Sequence, residues 1–281
     1  METMLLQMIK AFLYVGISAL FIWVAKHMAD KLSDGDSDHK IEEENNMAVG
    51  LRRAGLYLGV GIGMIGSLSG SNGSFANEVL LTIWDGVLIS VFLVVARFVS
   101  DMVLLPAIDN DHAIQNGNVA VGLIEAGGYV ATGLIAYASF TGEGGPWWST
   151  LVYFVLGQVA LLIIMRLYEF LTPWAVIDEV KKGNAAAGLM LASIMIATGF
   201  ILKGAIAGPF GGWAHDLQAF ALSLASGAVM LMVAFHHMVD KVFFKGTDLK
   251  TEIVRDQNIA AIAVVSSVKI ALALAIGAVV I

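Results

Sequence analysis

The 281-residue chain has no cysteine. That excludes disulfides, thiolate metal sites and a cysteine nucleophile. Charge is scarce, at 14% Asp, Glu, Lys and Arg, where a soluble domain carries about 25%. Sixteen basic residues against 23 acidic ones leave a net charge of −7 and no basic stripe. Nucleic acid is therefore not an expected partner. Phosphate loops, serine elbows and His-Glu-x-x-His zinc signatures are all missing. Gly59, Gly61 and Gly63 alternate inside an apolar helix, without the preceding strand that a dinucleotide loop requires. His27, His112, His215, His236 and His237 keep no metal-ligand spacing. The sequence reads as having no catalytic set, no metal site and no cofactor, and so as not an enzyme.

What is abundant is apolar sequence, 58% of the chain. A soluble domain holds about 45–50%, so lipid must solvate much of the surface. A spanning helix needs roughly 20 mostly apolar residues. Eight such runs are expected, at 4–25, 47–68, 78–100, 118–140, 147–170, 184–207, 216–239 and 258–280. They are too long and too evenly apolar for barrel strands. The first run is followed by Lys26 and Lys31 rather than preceded by charge, so it reads as a retained span, not a cleaved signal.

Basic residues sort by loop. Lys26, Lys31, Lys40, Arg52, Arg53, Arg97, Arg166, Lys181, Lys182, Lys241, Lys245, Lys250 and Arg255 lie in or near the loops after odd-numbered spans. Only Lys10 and Lys203 fall near the other face. The positive-inside rule then puts the odd loops in the cytoplasm and both termini outside. The outer loops, 69–76, 141–146 and 208–213, are short and rich in turn residues. Trp84, Trp147, Trp148 and Trp213 are expected at the outer interface. Asn72-Gly73-Ser74 fits a glycosylation acceptor by chance alone and carries no weight.

One phrase opens four of the runs. Asn46-Met-Ala-Val-Gly-Leu, Asn118-Val-Ala-Val-Gly-Leu and Asn184-Ala-Ala-Ala-Gly-Leu match closely, and Asn258-Ile-Ala-Ala-Ile-Ala more weakly. The spacings are 72, 66 and 74 residues, the length of one helical hairpin with its connector. The expected fold is an all-α polytopic membrane protein of four parallel two-helix repeats, grouped as units 1–140 and 141–281. Parallel repeats are related by rotation about the membrane normal. Asn46, Asn118, Asn184 and Asn258 are expected to cap their helices, accepting from otherwise unpaired amides; convergence of the four on a solute is the alternative. Small residues recur two, four, eight, nine and fifteen positions after each Asn, with Ile262 the exception at four, which suits close helix packing.

An acid ends each odd span, at Asp30, Asp101, Glu169 and Asp240, with Lys26, Arg97, Arg166 and His236 one turn earlier. These can pair locally. Ionisable groups at depth are the best functional pointers in a membrane chain. Arg53 and Glu125 share an offset, seven past their Asn, and are expected to pair across helices. Lys269 lies in mid-span, with Asp85 as a candidate partner and Gln158 as a further polar group at depth.

The acidic helix end, the connector and the Asn-x-Ala-x-Gly-Leu opening at Asn46, Asn118 and Asn184 make the chain resemble the YjfL-like bacterial inner-membrane family, domain of unknown function 350. Members look like two hairpins, and this chain resembles two such units fused. The fourth copy departs from the pattern at Ile262. The resemblance implies a bacterial plasma membrane and no chemistry. Two functions stay open. One is a transporter or channel for an ion or small polar solute, using Arg53, Asp85, Glu125, Gln158 and Lys269. The other is a non-transporting scaffold in envelope maintenance, whose acidic loop 30–44 recruits a cytoplasmic protein. The lipid bilayer is the expected partner in both, and self-association is compatible with either.

Overall fold

The structure is a computed structural model that describes residues 2–33, 35–68, 74–106, 108–142, 145–146, 148–172, 174–234 and 248–279, without the side chains of 2, 3 and 231–234. Asn72, Gly73, Trp147, His236, His237, Asp240, Lys241 and Lys245 lie outside the described residues.

All regular structure among the described residues is helical. The long helices are α1 (Glu2–Leu32), α3 (Met47–Leu68), α4 (Phe75–Leu104), α6 (Val119–Phe140), α7 (Ser149–Leu171), α9 (Ala185–Ile206), α10 (Trp213–Ala234) and α11 (Ile259–Val279). Seven of them are long and apolar enough to cross a membrane. The eighth, α10, covers the expected run 216–239 as far as the described residues reach, and is not among those seven. Helices α1 and α4 have 31 and 30 residues, against 22 in α3, α6 and α9. At about 1.5 Å per residue the two longer helices overshoot a hydrocarbon core of about 30 Å.

The described parts of the connectors carry short helical elements. Short helices α2 (Ser37–Glu42), α5 (Asn110–Gln115) and α8 (Val176–Lys181), and a π-helical turn Thr251–Arg255, each lead into the Asn phrase. The residue just before each Asn is left-handed: Asn45 (φ 53°), Gly117 (83°), Gly183 (81°) and Gln257 (46°). That kink reverses the chain from connector into helix.

Helices α3, α6, α9 and α11 form an inner row, each packed on the next. Helices α1, α4, α7 and α10 flank it. Gly122 meets the backbone of Ala48, Gly55 that of Ala126 and Gly66 that of Tyr137, so α3 and α6 run in the same direction. The register recurs at α6–α9, where Gly188 meets Ala120, Gly127 meets Ala192 and Gly199 meets Ala131. A Cβ on Gly188 would fall 2.4 Å from the Ala120 Cα, closer than any side chain allows. This is helix association by backbone approach, the mode open to chains that gain nothing by hiding apolar surface from lipid. The α6–α9 contact crosses the boundary expected between units 1–140 and 141–281.

Candidate functional site

The four asparagines cap as expected. Asn46 Oδ1 accepts from the amides of Ala48 and Val49, Asn118 from Val121, Asn184 from Ala186 and Ala187, and Asn258 from Ala261. Their Nδ2 groups do something the sequence reading missed. Asn46 donates to the carbonyls of Ile114 and Gln115, Asn118 to Val180 and Asn184 to Ile253. Each amide thus reaches from its own helix to the connector of the following repeat. Asn258 donates to its own Glu252 at 2.8 Å. The four do not converge on one point.

The charged site lies beside that row, in the first half. Arg52, on α3, places Nη1 2.5 Å from Asp111 Oδ1 and 3.8 Å from Glu125 Oε2, and Nη2 3.0 Å from Ser33 Oγ. Arg97, on α4, places Nη2 2.6 Å from Asp111 Oδ1 and Nε 3.8 Å from Glu125 Oε2. Asn110 donates to Asp101 Oδ1 at 2.7 Å. The Arg97 and Glu125 side chains are only 4% and 3% exposed. Neither Glu125 oxygen accepts a hydrogen bond, and Arg97 Nε donates none. Both residues line a small cleft of about 20 Å³, room for roughly one water, whose walls also hold Ser100, Asp101, Tyr129 and Thr132. Unpaired acceptors and an unpaired donor thus border one small space. That arrangement suits a proton, a water or a small polar solute.

The expected pair Arg53–Glu125 is not formed. Arg53 binds Asp30 and Asp38, on α1 and α2. Arg52 takes the place by Glu125, for a geometric reason. Ala48, Arg52, Gly55 and Gly59 form one stripe of α3, and three of them meet α6 directly. Successive helical residues point about 100° apart, which turns Arg53 off that stripe. The repeat packs one face of α3 against a different face of α6, so equal offsets do not meet. Offset six meets offset seven, a register that the packing sets.

The other candidates are scattered. Asp85 accepts from Ser67 Oγ at 2.6 Å between α3 and α4. Lys269 is buried on α11, at the far end of the row, with Nζ 2.8 Å from Met190 Sδ. Gln158 is buried on α7 with Nε2 unpaired. None of the three lines the cleft.

The local acid–base pairs hold in two repeats, with Arg166–Glu169 at 2.8 Å and Arg97–Asp101 at 3.7 Å. In the first repeat Lys26 turns instead to Asp38, at 2.6 Å. Hydrogen bonds from Lys26 and Arg53 hold the Asp38 carboxyl below the usual carboxylate range. At the third connector, Lys182 and then Asn184 do the same for Glu179. Trp148 and Trp213 stack at 4.8 Å at the opposite end of the molecule from the connectors. Among the described residues no three His, Asp or Glu side chains are placed to hold a metal ion.

The family described as Domain of Unknown Function (DUF350) matches residues 3–140 and again 144–280. The chain belongs to the DUF350 family. It is 31% identical over 266 residues to a "UPF0719 transmembrane protein" of Aquifex aeolicus (strain VF5), covering 91% of this chain and 96% of that one. No solved structure matches this DUF350 chain. The tandem match and the apolar helices make it a multi-pass membrane protein.

Proposed function

We propose that this DUF350 protein crosses a bacterial plasma membrane eight times as four parallel hairpins, with the connectors cytoplasmic and both termini outside, and that it moves a small cation, the proton first among them, by way of Glu125. Thirteen of sixteen basic residues on the connector side support the orientation. The caps and packing register repeated at α3, α6 and α9 support the four hairpins.

One observation carries the transport reading: Glu125 is buried beside a cleft with neither oxygen hydrogen-bonded. A carboxylate in that position is expensive unless something pairs with it. Arg52 and Arg97 stand near, but Asp101 and Asp111 share them, so two positive groups face three negative ones. One added positive charge balances the cluster. We assign no catalytic role to it.

The test is flux. The purified protein is reconstituted in liposomes under imposed proton, sodium and potassium gradients. Gradient loss faster than in protein-free liposomes, and slowed to nearly the protein-free rate by Glu125→Gln, is expected. No flux of any of the three above the protein-free rate overturns the reading.

The scaffold reading has its own support. Backbone-to-backbone contact along α3, α6 and α9 leaves no passage between those helices. The 30–44 loop would then receive a soluble partner, although Arg53 already engages Asp30 and Asp38. Glu42, Glu43 and Glu44 remain exposed for that role. A silent flux assay, together with a soluble protein lost on their replacement by alanine, would favour it.

A further inference from the structure

The inner row has two unlike ends. Inside the chain, one face of each helix (offsets two, nine and thirteen from its Asn) meets a second face of the next (offsets four, eight and fifteen). At α3–α6 the pairs are Ala48 with Gly122, Gly55 with Ala126 and Gly59 with Gly133. At α6–α9 they are Ala120 with Gly188, Gly127 with Ala192 and Ala131 with Gly199. The α9–α11 contact keeps the far end of the same register. There Gly204 meets Gly277 as Gly66 meets Tyr137.

No described helix takes the place before α3 in the row, and its second face is left over. Gly50 and Gly61 have nothing within 4 Å of a built Cβ, and Ala54 between them is exposed. Their counterparts Gly122, Gly188, Gly133 and Gly199 are all in tight contact. No described helix takes the place after α11 in the row, and its first face is left over. Ala260, Ser267 and Ala271 are all exposed. These are the two halves of one interface, carried on opposite ends of one molecule.

A separate observation points the same way. Three of the four asparagine amides bond the connector that follows; among the described residues the Asn258 amide bonds only its own Glu252, the counterpart of the bond Asn184 also makes to its own Glu179. The carbonyls in the matching place of the first connector are those of Ile41 and Glu42.

We propose that copies of this chain associate head to tail in the membrane, α11 of one against α3 of the next, in the register the chain already uses within itself. Ala260 then meets Gly50, Ser267 meets Ala54 and Ala271 meets Gly61. The Asn258 amide comes to the partner's first connector. Such a contact joins two different patches, so it propagates until a ring closes. The inference is independent of the transport reading.

The natural absence of cysteine makes the test clean. Ala54→Cys and Ser267→Cys are placed in separate copies, co-expressed and oxidised in native membranes. A disulfide-linked pair is expected, and none when Ala54→Cys is combined with Leu274→Cys, which is out of register. In parallel, copies per particle are counted by single-molecule photobleaching in bilayers. Gly61→Leu should reduce the count to one while leaving the melting temperature of the detergent-solubilised protein near that of the natural chain, since no described residue lies within 4 Å of a Cβ built on Gly61. Absence of the in-register cross-link, equal cross-linking by the out-of-register pair, or a single copy per particle in the natural protein overturns the proposal, the last result leaving lipid alone on both faces.

Discussion

Asn184 holds two repeats together: its Nδ2 donates to the Ile253 carbonyl at 2.7 Å, 69 residues along the chain, while its Oδ1 accepts from Ala186 and Ala187. One side chain therefore starts its own helix and anchors the next connector. The two roles can be separated at Asn118, where the same pattern is less buried. Asn118→Asp keeps the cap oxygen and loses the donor to Val180. Loss of the donor alone costs about 1 kcal/mol. Asn118→Ala loses the cap as well and costs about 2 kcal/mol in total. Asn258→Ala loses its cap and the bond to Glu252 within its own connector, and should also cost about 2 kcal/mol. Denaturation in mild detergent, followed by circular dichroism, ranks the three.

The left-handed kink before each Asn gives a second prediction. Gly117 and Gly183 adopt it without steric conflict, while Asn45 and Gln257 adopt it with a side chain. Left-handed backbone costs a non-glycine residue roughly 1–2 kcal/mol, less for Asn. Gln257→Gly should stabilise the fold by about 0.5–1 kcal/mol after the added freedom of the unfolded chain is offset. Gly183→Gln should destabilise it by about 1 kcal/mol or more. Thermal melts of both variants check the signs.

The adjacent arginines should differ sharply. Arg52→Leu leaves Glu125 and Asp111 short of a partner inside the protein, a loss of about 3–5 kcal/mol. Arg53→Leu breaks pairs with Asp30 and Asp38, whose side chains are 32% and 45% exposed. Such pairs are worth about 0–1 kcal/mol. Comparable losses from the two substitutions, measured by chemical denaturation, would refute the assignment of Arg52 to the cluster.

Acid should loosen the third connector first at Glu179. Its carboxylate accepts from Lys182 Nζ at 2.6 Å and from Asn184 Nδ2 at 2.9 Å, and these bonds depress its pKa. A group whose folded value lies below the unfolded one, about 4.3 for Glu, contributes fully above that pH and progressively less as pH falls through the folded value. Melting temperatures between pH 7 and pH 3 should fall less steeply in Glu179→Gln than in the natural chain. Identical slopes would count against this pairing.

Much of the architecture can be read along the chain. Runs such as 118–140 and 184–207 specify spanning helices by length and apolar content, because lipid imposes both. The Asn phrase specifies their starts, because a helix N-terminus needs an acceptor wherever it falls. Small residues at fixed offsets announce close packing. Each of these is a local demand, met within one helix or one turn.

Which side chains meet is a different kind of fact. Arg53 and Glu125 share an offset, yet Arg52 is the neighbour, because unlike faces of successive helices interlock. Asp101 and Asp111 join the cluster only because α4 and the second connector pack against α3 and α6. The asparagine amides find carbonyls 62 to 69 residues away that no local pattern marks. Composition and periodicity determined that this chain builds a repeated helical membrane protein. Only packing, which sets the rotation of one helix against another, decided where its buried charges stand and which faces remain uncovered.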